Sequence, residues 1–131
     1  MLFYTFHSQD ERRKFGGSAF IEMQLCKMGP EAEITQLTAV SNIDHWQNDS
    51  LYIYLDDIET FAAEYRNIFN CAIYGNLESG PADLYGINYY KPDLIETIIE
   101  QMLAKKPTDY EVPVEWLIRA KNYNGFYILG I

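Results

Sequence analysis

The side chains whose types could do chemistry are few and scattered: Cys26 and Cys71, His7 and His45, and a run of carboxylates between Asp44 and Glu64. A thiol–imidazole pair, Cys71 with His45, would supply a nucleophile and its base. No local signature supports it, and no Gly-x-Ser-x-Gly turn presents a serine nucleophile. Each cysteine has an apolar neighbour, Leu25 and Ala72 respectively, and the two are far apart in sequence, so both read as buried, reduced thiols rather than as a disulfide. His7 closes an apolar stretch and reads as an edge residue. Asp44, His45, Asp49, Asp56 and Asp57 form the one cluster of metal-ligand types. It lacks the calcium-loop pattern and has no His pair four residues apart. A solvated loop followed by a helix cap accounts for it. Asp56 and Asp57 are adjacent, so at a helix start their carboxyls diverge and do not suit a cooperating acid and base. Gly16-Gly17 and the single Gly86 lack phosphate-loop spacing. These residues predict no catalytic centre, no metal and no cofactor.

Charge is the more informative feature. Of 19 acids and 10 bases, the segment from Met28 to Tyr90 holds ten acids and a single base, Arg66. The rest of the chain is balanced, so the whole formal charge of −9 falls on that segment. Trp46, Tyr52, Tyr54, Phe61, Tyr65, Tyr74 and Tyr85 are interleaved with it. A one-signed field steers association with a cationic partner and repels nucleic acid, whose phosphates need clustered Lys and Arg. Arg12-Arg13-Lys14 follows Asp10-Glu11 and reads as a compensated, solvated turn. Acidity also serves solubility, but solubility does not require segregation. Tyr52 and Tyr54 alternate with Leu51, Ile53 and Leu55, which leaves them either in a second core or on a recognition surface.

These residues need a scaffold, and 131 residues with 48% apolar content predict one domain, 1–131, with a core of its own. No run reaches the ~20 apolar residues that span a bilayer. The start, Met1 to His7, lacks a basic region and a cleavage site, so it reads as a strand and the expected compartment is the cytoplasm. Period-two alternation predicts a strand over Ala19–Lys27, with Ile21, Met23 and Leu25 on one face and Glu22, Gln24 and Cys26 on the other. Ser8–Gly17 reads as a polar loop. Ile34–Val40 reads as a return strand, with a short helix as the alternative, and Leu51–Leu55 as a strand. Ile58, Phe61, Ala62, Tyr65, Ile68 and Phe69 recur at helical spacing, with Asp56 and Glu59 as a capping pair. Leu94, Ile95, Ile98, Ile99, Met102 and Leu103 form a second stripe, and a third helix starts at Pro113. Cys71–Gly75 and Leu84–Tyr90 read as strands, and so does Phe126–Ile131, covered on both faces. The expected class is α+β: a mostly antiparallel sheet with two to three helices packed on one side.

The stretch Leu84-Tyr85-Gly86-Ile87-Asn88-Tyr89-Tyr90-Lys91-Pro92, then Glu115-Trp116-Leu117, then Tyr123-Asn124-Gly125-Phe126-Tyr127-Ile128-Leu129-Gly130-Ile131 resembles a family of bacterial polymorphic-toxin immunity proteins of the contact-dependent inhibition type. The resemblance covers residues 84–131. It implies a small cytosolic protein, encoded beside a toxin, that protects its producer by binding the toxin domain. It implies no catalytic residues. With the charge it makes the expected partner a cationic, nuclease-type toxin domain. The candidate contact residues are Asp44, Trp46, Asp49, Tyr52, Tyr54, Asp56, Asp57, Glu59 and Glu64. The alternatives are a small carboxylate-based enzyme or ligand- or metal-binding module, and an adaptor subunit of another complex.

Overall fold

A strand that is apolar at every position must be covered on both faces, and Phe126–Leu129 is such a strand because it runs inside the sheet. The computed structural model describes residues 1–17 and 19–130; Ile131, the end of the expected terminal strand, lies outside them. In chain order the elements are α1 (Gln9–Gly16), β1 (Phe20–Leu25), α2 (Ile34–Leu37), β2 (Leu51–Tyr54), α3 (Ile58–Tyr65), β3 (Ala72–Tyr74), β4 (Ser79–Gly80), β5 (Ile87–Tyr90), α4 (Ile95–Lys105), α5 (Glu111–Ala120) and β6 (Phe126–Leu129). Short 3₁₀ turns lead into α3 and α4. The sheet order is β2-β1-β6-β5-β3-β4 and every pairing is antiparallel. The fold is therefore α+β, as expected, with five α-helices among the described residues instead of two or three.

The first sheet face carries Ile21, Met23, Ile53, Phe126, Ile128 and Tyr90. Phe61 and Tyr65 of α3, Ile98 and Met102 of α4, and Trp116 and Leu117 of α5 pack on it as the main core. These are the stripes that the helical periodicity identified. The Trp116 indole donates to the Asp49 carbonyl at 2.8 Å, which ties α5 to the loop before β2.

The second face is covered as well, by the segment after β1 rather than by the long helices. It carries Phe20, Glu22, Gln24 and Cys26 of the β1 region with Tyr52, Tyr89 and Tyr127, and all are buried. Residues 28–50 fold over it. Polar side chains of the sheet hold that cover down: the Tyr127 hydroxyl donates to the Leu37 carbonyl at 2.5 Å, Gln24 Nε2 to the Asp44 carbonyl at 2.9 Å, and the Tyr52 hydroxyl to the Gln47 carbonyl at 2.9 Å. Polar residues on the alternating strand thus meet backbone groups of a covering loop rather than water.

Five local expectations are also corrected. Residues 9–16 are a helix, because the Ser8 hydroxyl accepts from the Glu11 amide while the Glu11 carboxylate accepts from the His7 amide, a reciprocal cap. Leu2 to His7 is not a strand; it makes one bridge, Tyr4 with Tyr52, along the outer edge of β2. Of the two readings of Ile34–Val40, the helix holds over Ile34–Leu37, where Gln36 Oε1 accepts from the Glu33 amide. At α3 no side-chain cap forms, so Asp56 and Asp57 are free of the capping role assigned to them. Cys26 is buried, but Cys71 is exposed, contrary to expectation, and both are free thiols.

Candidate functional site

The nine candidate contact residues do not make one surface. Tyr52 is fully buried, with its ring among Phe6 and Phe20, and leaves the list. Trp46 is half-buried against the same aromatic cluster. Asp49 pairs with Lys27 at 2.8 Å. Glu64 accepts from the Thr108 amide at 2.9 Å and from its hydroxyl, so it fixes the turn between α4 and α5. Asp44 lies at the mouth of a cavity on the second face. Leu51 pairs with Met23 and Tyr54 with Phe20, so Asp49 and Asp56 sit at opposite ends of β2.

Four of the nine do come together. Tyr54 ends β2 and leads through Leu55 into Asp56, Asp57 and Glu59 at the start of α3. Phe15 of α1 lies edge-on to the Tyr54 ring at 5.6 Å. Phe15 is 50% exposed and Leu55 43%, large values for apolar side chains. The result is an acidic corner: exposed apolar groups beside three carboxylates, none of which makes an ion pair with a described residue. An apolar centre with a charged rim is the ordinary anatomy of a protein–protein contact. Neither Phe15 nor Leu55 was among the candidate contact residues: Leu55 was expected on a strand face with Leu51 and Ile53, and for Phe15 the Ser8–Glu11 cap was the signal that would have made residues 9–16 a helix and turned it toward Tyr54.

The second feature is a cavity of about 410 Å³ over the second sheet face. Phe20, Val40, Ile43, Ile87 and Leu129 make its apolar walls, and Gln9, Arg12, Glu22, Asp44 and His45 its polar part. β1 places Glu22 between Tyr52 and Leu129 of its two neighbouring strands. Glu22 Oε2 accepts from Ser50 Oγ at 2.6 Å and from Gln24 Nε2 at 3.0 Å. Burial raises its pKa above the ordinary 4.5, although those donors and the nearby Arg12 charge work the other way. α1 places Arg12 over the Tyr52 ring, with Cζ 5.6 Å from the centroid. No group of three or more His, Cys, Asp or Glu side chains among the described residues is placed to hold a metal ion, and no helix among them is long and apolar enough to cross a membrane.

Comparison with known proteins adds nothing to this geometry. No family model, curated protein or solved structure matches the chain.

Glu22 gives a pH-dependent prediction. Its folded pKa is raised, so the folded state holds the proton more tightly than the unfolded one. Its contribution to stability is therefore fully present below the ordinary carboxylate range and is lost as pH rises through the folded pKa. Glu22→Gln should melt at a higher temperature than the wild type at neutral pH, with the gain shrinking toward acid pH. Thermal melts of both proteins across that range check it. A variant less stable at neutral pH would mean that the carboxylate's hydrogen bonds outweigh its desolvation.

Proposed function

We propose that the chain is a non-enzymatic inhibitor, an immunity-type protein that binds a cationic toxin domain through its acidic corner. The observation that carries this reading is the juxtaposition of exposed Phe15 and Leu55 with the unpaired carboxylates of Asp56, Asp57 and Glu59. A nuclease holds phosphates in a positive cleft. Three carboxylates around an apolar anchor match such a cleft in sign, and the excess charge of the 28–90 segment steers the encounter. The resemblance of residues 84–131 to immunity proteins supports the same reading. On this reading the protein works in the cytoplasm, where a delivered toxin would act.

Co-purification with the product of the adjacent gene tests the partnership. The corner is tested by the triple variant Asp56→Asn, Asp57→Asn, Glu59→Gln. These residues cap nothing, so the melting temperature should hold, while the association rate with the toxin domain falls about tenfold at low salt. The wild-type rate should drop toward the variant's as salt rises, because exposed charges are screened beyond about 8 Å at physiological ionic strength. A triple variant that associates at the wild-type rate would move the contact elsewhere on the molecule.

A further inference from the structure

We infer that the cavity on the second sheet face binds a small organic anion, a carboxylate or phosphate on an apolar body, through the guanidinium of Arg12. Arg12 is only 8% exposed, and its Nε is buried without a hydrogen-bond partner. No carboxylate among the described residues lies within 4.0 Å of it. Arginine keeps its charge under all ordinary conditions and brings five N–H donors. A buried cation in that state is costly unless something pairs with it. The Tyr52 ring beneath it offsets part of that cost but accepts no in-plane hydrogen bond.

Glu22 lies close enough for its charge to act on Arg12, yet the two make no ion pair or hydrogen bond. Its Oε2 takes Ser50 and Gln24, both held on or beside the sheet. Arg12 lines the cavity without a carboxylate partner, and the planar donor edge of a guanidinium matches a carboxylate or a phosphate. Ile43, Ile87 and Leu129 offer an apolar wall for the rest of the ligand. A volume of about 410 Å³ falls within the range of small-molecule sites. This site shares no lining residue with the acidic corner, although Phe20 of its wall packs on Tyr54 and Phe15, and the inference does not rest on the inhibitor reading.

The test titrates the full chain with benzoate, phenyl phosphate and the neutral isostere benzamide, followed by NMR of the Ile87 and Leu129 methyls and the Arg12 Nε–H. Saturable shifts of these signals with benzoate or phenyl phosphate, and much weaker ones with benzamide, are expected; which anion binds tighter tells a carboxylate site from a phosphate site. Arg12→Met should weaken the anion at least about tenfold, the effect of losing a charged hydrogen bond. Glu22→Gln should bind as well or better, since it removes a negative charge beside the guanidinium. The wild-type comparison of benzoate with benzamide decides the matter even if Arg12→Met does not fold. Equal binding of benzamide, no saturable binding of either anion at millimolar concentration, or undiminished binding by a folded Arg12→Met protein would overturn the inference.

Discussion

Phe126→Ala should cost about 3–5 kcal/mol of stability, the usual loss for a fully buried aromatic cut back to a methyl group. The Phe126 ring stacks on Tyr90 with centroids 4.7 Å apart and meets Trp116 edge-on at 5.7 Å and Phe69 at 6.1 Å. It thus joins β6 to β5, to α5 and to the segment after α3. The farthest of those partners in sequence, Phe69, lies 57 positions before Phe126, and each sits on a different segment, so none can follow the missing ring without dragging its own segment. A domain of this size holds roughly 5–15 kcal/mol in all, and the variant would sit near the threshold of folding. Urea denaturation checks it: the midpoint should fall sharply with the slope unchanged. Phe15→Ala is the contrast. That ring is half exposed at the acidic corner, so its loss should move stability far less and partner binding far more. Equal losses of stability in the two variants would mean that Phe15 is core and that the corner lacks its apolar centre.

The parts of the fold legible in the sequence are those where one physical signal acts alone. α4 and α5 bury a single stripe against the sheet, so their apolar spacing announces them. β6 is buried on both faces, and its unbroken apolar run says so. The second face was not legible because two signals conflicted there. Glu22 and Gln24 on an alternating strand read as solvent-facing, yet Phe20 and Cys26 share their parity, and the segment that covers them supplies backbone carbonyls for the polar side chains beside the apolar Ile34, Leu37 and Ile43. Period alone reports polarity, not whether a polar group meets water or a buried partner. α1 was lost for a related reason. Its only buried side chain is Arg12, so it has no apolar stripe, and its evidence lay in the Ser8–Glu11 cap. Three of the nine candidate contact residues are spent internally: Tyr52 on the Gln47 carbonyl, Asp49 on Lys27, Glu64 on Thr108. A list of acids cannot separate those that face a partner from those that hold a loop.

Gly125→Ala should be as damaging as any core truncation, although it adds only one carbon. Gly125 has φ +81°, in the left-handed region that costs an L-residue roughly 1–2 kcal/mol. A Cβ there would also lie 2.1 Å from the Tyr90 carbonyl oxygen, a backbone atom of the neighbouring strand, and 2.9 Å from the Tyr89 hydroxyl. The Tyr90 carbonyl cannot swing aside as a side chain would, because β5 is paired on both edges. The collision must be relieved by shifting β6, and Gly125 is where β6 enters the sheet: its carbonyl accepts from the Cys26 amide at 3.1 Å, and the preceding Asn124 donates to the Cys26 carbonyl. Moving that residue disturbs the pairing of β6 with β1 and with β5 together. The two causes can be separated with Gly125→Asn. Asparagine tolerates positive φ far better than alanine but carries the same Cβ. If both variants lose several kcal/mol in urea denaturation, the close approach of the two strands demands the glycine. If asparagine restores most of the stability, the turn conformation demands it and β6 has room to move. The 2.1 Å approach makes the first outcome the expected one.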